Sequence, residues 1–221
     1  MEKKQYKLCI EVLKRFQAHG ILPHVVLIGS WCLPLYKEYF KNTEYNFSFR
    51  TRDIDFLVPR SAQIRKKVDV VQLLGDLGFI IGRSYPAGYM RLQHPDLIIE
   101  FLVPEKGKGS DMPFPVPQLG VNAQSLRFLD ILSEHTIHVE IEGLLVTLPD
   151  PVYFALQKLI ISGRRAKKEK SEKDVVAAVS LLTALIQMGK KEAIKKALNA
   201  LPQKWQKLAL KALAHEADIL A

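Results

Sequence analysis

Sulfur chemistry has little to work with in this chain. Only two cysteines, Cys9 and Cys32, occur in 221 residues. Neither sits in a C-x-x-C or zinc-type spacing, which excludes a disulfide scaffold and makes a reduced, cytosolic setting the default expectation. No apolar run approaches the ~18 residues of a membrane span. The opening stretch MEKKQYKLCIEVLKRF lacks the uninterrupted apolar core of a signal peptide. The six histidines (His19, His24, His94, His135, His138 and His215) form no metal-ligand spacing. A G-x-S-x-G nucleophile motif is absent, and GKGS at 107–110 lacks the earlier glycine of a phosphate-binding P-loop. Acid is scarce beside base: 23 Asp and Glu against 32 Lys and Arg give a net charge of +9. That balance suggests a polyanionic partner.

What is present is organised in two parts. Residues 2–19 carry apolar residues at helical spacing, and Gly20 is the expected stop. HVVLIG (24–29) is a short buried strand, and WCLPLYKEYFK after Ser30 predicts a helix with Pro34 near its start. NTEYNFSFRT is a loop or hairpin leading to a strand at 53–58. A helix is expected over 61–75, and strands in GFIIGRS, YMRLQ and DLIIEFLV. The Gly- and Pro-rich 104–120 is a loop, followed by strand-like pieces at 127–132, 136–141 and 144–148. From Asp150 the pattern turns helical: 151–162, 171–188, 190–199 and 203–219. Asp150-Pro151 has the form of an N-cap followed by proline at the first helical position. The chain therefore divides into an α/β domain, 1–149, and a helical domain, 150–221.

FRTRDIDFLVPR (49–60) sets two aspartates into a stretch of strand formers. Along a strand, residues i and i+2 share a face, so Asp53 and Asp55 project together, about 7 Å apart at the backbone. An unpaired buried carboxylate is costly, so something must accommodate the pair. A divalent ion, a basic partner such as Arg50, Arg52 or Arg60, and solvent at a strand end are the candidates. Glu100, in LIIEFLV, is a second acid in a hydrophobic strand. In VVLIGSW, Gly29 permits close backbone approach and the helix start offers free N–H groups to an anion. The Ser30 hydroxyl caps that helix or contacts a phosphate.

Taken together, Gly29-Ser30, Asp53-Ile54-Asp55 and Glu100 resemble the nucleotidyltransferases of the DNA polymerase β type. In that pattern a strand runs into Gly-Ser and a helix, a later strand carries D-h-D (h, hydrophobic), and a further acid follows. The T-R-D-I-D form is similar to the minimal, toxin-like and abortive-infection-like bacterial branch. The resemblance spans about residues 24–178 and implies a mixed-sheet α/β nucleotidyltransferase domain followed by a helical C-terminal domain. It implies that Gly29 and Ser30 hold nucleotide phosphates. Asp53, Asp55 and Glu100 would be catalytic metal ligands for Mg²⁺ (or Mn²⁺), with Glu100 also activating the attacking hydroxyl. In the helical part it assigns nucleotide contacts to Lys158, to Arg165 (or Arg164) and to Lys173 in the Lys173-Asp174 pair. The spacing from Ser30 to Asp53 is longer than in compact members, and Ala177 stands where some relatives carry another acid.

The activity so implied is NTP-dependent, two-metal transfer of a nucleoside monophosphate to an acceptor hydroxyl. Residues 158–221 hold fourteen Lys or Arg against six Asp or Glu, which points to RNA, such as tRNA, as the acceptor. A basic chain suits a cationic drug acceptor less well. A non-catalytic nucleic-acid-binding or regulatory protein on the same scaffold is the rival expectation.

Overall fold

The computed structural model describes residues 3–41, 43, 45, 51–83, 88–105, 107 and 112–214. Arg50, most of GKGS, His215 and the end of the expected last helix lie outside the described residues. The chain divides into two compact units. One comprises Met1–Leu35 and Ser48–Leu148, the other Tyr36–Phe47 and Pro149–Ala221.

The first unit is built on a mixed sheet. In chain order its strands are β1 (Val26–Ile28), β2 (Asp53–Leu57), β3 (Ile80–Arg83), β4 (Met90–Gln93), β5 (Ile98–Pro104), β6 (Phe114–Val116) and β7 (Val121–Leu126). The order across the sheet is β1-β2-β5-β4-β3, with β7 also beside β5 and β6 beside β7. β2 and β7 run parallel to β5, while β1–β2, β4–β5, β3–β4 and β6–β7 are antiparallel. A two-stranded ribbon of β8 (Thr136–Ile141) and β9 (Leu144–Pro149) follows.

Alternation in β2 and β5 explains why these strands carry both core and charge. Ile54, Phe56, Ile99 and Phe101 are buried, and the residues between them must face the other side of the sheet. Helix α1 (Lys3–Ala18) covers the apolar side with Cys9, Ile10, Val12, Leu13 and Phe16. The Phe16 ring lies 5.0 Å from Phe56 and 6.4 Å from Phe101, and those two stack at 6.1 Å. Burial pushes the Cys9 thiol up, so it behaves as a small core residue. Gly20 ends the α1 segment at φ +71°. Arg15 then ties α1 to the sequence after Leu73. It donates to Leu73 O at 2.7 Å and to Asp76 through both terminal nitrogens, and this holds the Asp76 carboxyl below its usual range.

Four stretches depart from the sequence expectation. The helix expected from Trp31 shortens to a 3₁₀ turn at Gly29–Trp31 and one turn of α2 (Cys32–Leu35). Tyr36 instead starts the segment that joins the helical unit. Its hydroxyl donates to Pro149 O at 2.8 Å and its ring meets Phe154 at 5.8 Å. Tertiary aromatic packing overrides the local helical pattern there, and Tyr36 falls in the unit that contains the helices. The helix expected over 61–75 reduces to a 3₁₀ turn at Ser61–Gln63 and α3 (Val70–Gly75). Between them, the Val68 and Val70 amides donate to Gln118 O and Leu119 O at 2.8 and 3.1 Å. The backbone is thus bonded across the fold rather than along a helix, and Asp69 caps α3 by accepting from Gln72 N. Finally, 127–132 is not a strand: Phe128 turns the chain at φ +64° into α4 (Asp130–Glu134). The sixth and seventh strands lie in and just after the stretch expected to be loop, where Gly and Pro mask short pairing segments.

The second unit contains α5 (Pro151–Ser162), α6 (Lys168–Gln187), α7 (Lys191–Ala200) and α8 (Gln203–Ala212). Asp150 caps α5, accepting from Val152 N at 2.8 Å, with Pro151 at the first helical position where its missing N–H costs nothing. The Asp150→Ala variant is expected to lose about 1 kcal/mol of stability, the usual value of an N-cap. Urea denaturation measures it; an unchanged midpoint would contradict that role.

No described helix is long and apolar enough to cross a membrane.

Candidate functional site

The register of the sheet decides which charged side chains share its open face. Asp55 of β2 pairs with Glu100 of β5, and Glu100 pairs in turn with Arg91 of β4. On the other side Asp55 pairs with Ile28 of β1, the residue just before Gly29. Paired residues in a ladder project to the same face. One row across the sheet therefore carries Asp55, Glu100 and Arg91, and Asp53 stands two residues before Asp55 on that same face. Asp53 opens β2 and is exposed, while Asp55 is half-buried. The Asp53 amide is held by Thr51 Oγ1 at 3.1 Å.

Gly29 meets this row from the strand end. Its φ is +74°, and a Cβ placed there would collide with the Asp55 carboxylate oxygen. Two independent constraints thus select glycine: the left-handed backbone and the closeness of the carboxylate. The Gly29→Ala variant is expected to be destabilised by about 1–2 kcal/mol from the backbone alone, with Asp55 displaced. A thermal midpoint and activity equal to those of the unsubstituted protein would contradict this close approach. Ser30 follows in the 3₁₀ turn, half-exposed.

The acids are neighbours, but they do not form a ready cage. Among the described residues no group of three or more His, Cys, Asp or Glu side chains is gathered to hold a metal. Glu100 Oε1 is paired with Arg91 Nε. The guanidinium neutralises it at 20 % side-chain exposure. Asp53 and Asp55 fit a divalent ion by chemistry, being hard oxygen donors on one face with access to solvent and the open flank of Gly29 beside them. Glu100 joins such a set only by leaving Arg91. Sequence reasoning missed Arg91; the signal was the position of an arginine in YMRLQ, one strand from the acid, which pairing alone reveals. Arg52 serves the fold, donating to Pro95 O at 2.9 Å.

The basic residues expected to meet nucleotide lie in the helical unit. Lys158 of α5 is buried, and its Nζ donates to Asp174 Oδ1 of α6 at 2.7 Å. Arg165 Nε donates to Asp174 Oδ2 at 2.6 Å and is 39 % exposed. Asp174 therefore clamps the start of α6 to α5 with two cations, and a phosphate could reach Lys158 only by opening a buried pair. Lys173 is exposed and pairs one turn away with Glu169 at 2.6 Å.

A nucleotidyltransferase family model matches residues 7–202. Among solved structures, the crystal structure of ANT(2″)-Ia in complex with adenylyl-2″-tobramycin matches at a TM-score of 0.51 and 11 % identity, covering 97 % of this chain and 100 % of that one. The solution structure of the antibiotic-resistance factor ANT(2″)-Ia matches at 0.49 and 11 %, covering 99 % and 96 %. An antigenic nucleotidyltransferase-like protein from Paracoccidioides brasiliensis matches at 0.43 and 15 %, covering 85 % and 92 %. A search of curated protein sequences returned no match. With the family pattern running through nearly the whole length, from α1 past α7, the chain belongs to a nucleotidyltransferase family.

Proposed function

We propose that this protein transfers a nucleoside monophosphate from an NTP to an acceptor hydroxyl, at the face carrying Asp53, Asp55 and Glu100. The observation that carries the reading is the register that sets Asp55 beside Glu100, with the Gly29 turn pressed against Asp55. A Mg²⁺ or Mn²⁺ ion held by Asp53 and Asp55, and shared with Glu100, would offset charge on the entering and leaving oxygens.

The chain's own residues orient the reactants. The Gly29-Ser30 turn seats the triphosphate, its amides and the Ser30 hydroxyl available to phosphate oxygens. Glu100 accepts the proton of the acceptor hydroxyl. That oxygen forms a bond to the α-phosphorus, the bond from the α-phosphorus to the bridging oxygen breaks, and pyrophosphate leaves. Arg91 positions Glu100 before the substrates arrive. Within the helical unit, Lys173 and Arg165 are the expected nucleotide contacts with exposed side chains, while Lys158 is buried against Asp174. The T-R-D-I-D form supports placing the chain in the minimal, toxin-like bacterial branch.

RNA is the acceptor class that the charge favours. Incubation with each labelled NTP, Mg²⁺ and total cellular RNA tests the reading directly. Label is expected on RNA, and binding is expected to weaken steeply as salt rises. Label appearing on an aminoglycoside and not on RNA would replace the acceptor, with the fold of ANT(2″)-Ia as precedent. No label with any NTP and either acceptor would favour a non-catalytic binding protein on this scaffold.

A further inference from the structure

The α/β unit holds a second feature that nucleotide chemistry does not use. An open cleft of about 890 Å³ is lined by Ala18, His19, Gly20 and His24 on one side and by Gln63, Ile64, Arg65 and Lys66 on the other. Topology places it away from the carboxylates. β1 and β2 are antiparallel, with Ile28 opposite Asp55 and Val26 opposite Leu57. His24 precedes β1 and Gln63 follows β2, so the cleft lies off the end of both strands that is remote from Gly29.

Its chemistry is one-sided. No acid lines it, and two imidazoles and two cations do. Arg60, Arg65, Lys66 and Lys67 are exposed within eight residues, and among the described residues none of them is paired with a carboxylate. By contrast Arg15, Arg91 and Arg127 each have an acidic partner. The nearest acid in the segment, Asp69, is engaged in capping α3. His19 Nδ1 is used at Arg15 O, 3.0 Å away, which leaves Nε2 for the cleft. Ala18 and Gly20 have little or no side chain, so a ligand backbone can approach closely. Ile64 is buried, and no Phe, Tyr or Trp side chain lines the cleft. Two cations beside two small imidazole rings suit a sugar–phosphate backbone better than a row of stacked bases.

We propose that this cleft is a binding site for the phosphodiester backbone of an RNA strand, held without regard to base. It rests on RNA being the acceptor in the reading above, and it adds where the strand outside the reacting end is gripped.

The test is fluorescence anisotropy of a labelled single-stranded RNA of about 20 nucleotides, with the full chain and no NTP, from about 50 to 200 mM salt. The Arg65→Gln, Lys66→Gln double variant is expected to bind more weakly. Its log–log salt slope should be shallower by about 1.4, from two lost phosphate contacts at ~0.7 each. Arg65→Glu with Lys66→Glu should weaken binding further, with the thermal midpoint kept because both side chains are exposed. Poly(U) and poly(A) should bind alike. The Asp55→Asn protein should keep full RNA affinity, so failure of transfer and failure of this cleft are read separately. Unchanged affinity and slope in both double variants would overturn the proposal. So would a strong base preference, or loss of ATP affinity with RNA affinity intact.

Discussion

Replacing Asp53 or Asp55 with Asn is expected to lower metal-dependent nucleotidyl transfer by at least about a hundredfold, the usual loss when one group aimed at developing charge is removed. The substitution keeps size and removes charge. Asp53 is exposed and Asp55 only half-buried, so neither change empties the core, and the near-ultraviolet circular dichroism should be preserved. Pyrophosphate release under saturating Mg²⁺ reads the outcome. Asp55→Asn should be the more severe of the two, because Asp55 touches the Gly29 turn and stands beside Glu100 in register, whereas Asp53 sits at the strand entrance. Full activity in both variants would remove the carboxylates from the chemistry.

The second large effect is on stability. Removing the Asp174 carboxylate with Asp174→Ala leaves Lys158 buried with no counter-charge and Arg165 without its partner. Loss of one member of a buried pair costs about 3–5 kcal/mol, a large share of the ~5–15 kcal/mol that holds a typical domain folded. Urea denaturation should show the midpoint falling sharply. Replacing Lys158 and Asp174 together by Met and Leu should cost much less, since no charge is then stranded. If Asp174→Ala is as stable as the unsubstituted protein, the pair is not structural, and Lys158 is free to serve a ligand instead.

What could be read in the sequence follows period and punctuation. Helix α1 shows its apolar stripe, and α5 announces itself by Asp150-Pro151. The alternation in DIDFL and IIEFLV shows two strands with acids on one face. The stretches that could not be read are those where a distant partner sets the conformation. Val68 and Val70 donate to Gln118 and Leu119 rather than to their own turn. Tyr36 follows its hydroxyl to Pro149 and its ring to Phe154. In the site, the side-by-side placement of Asp55 and Glu100 needed pairing register, which no local pattern encodes. The Arg91 partnership is hidden for the same reason. It changes the picture from three converging acids to two on β2, Asp53 and Asp55, and a third already paired with a guanidinium.

For the transfer proposed above, Glu100 would have to exchange the Arg91 guanidinium for the reacting groups. Arg91 and Glu100 face each other on β4 and β5, so the exchange needs only side-chain motion and no rearrangement of the sheet.

Isothermal titration with a non-hydrolysable NTP, with and without Mg²⁺, puts the central claim to its most direct test. Saturable binding that needs Mg²⁺ and is lost in Asp53→Asn and Asp55→Asn is expected. Binding that is equally strong without the ion, or undiminished in both variants, would contradict it.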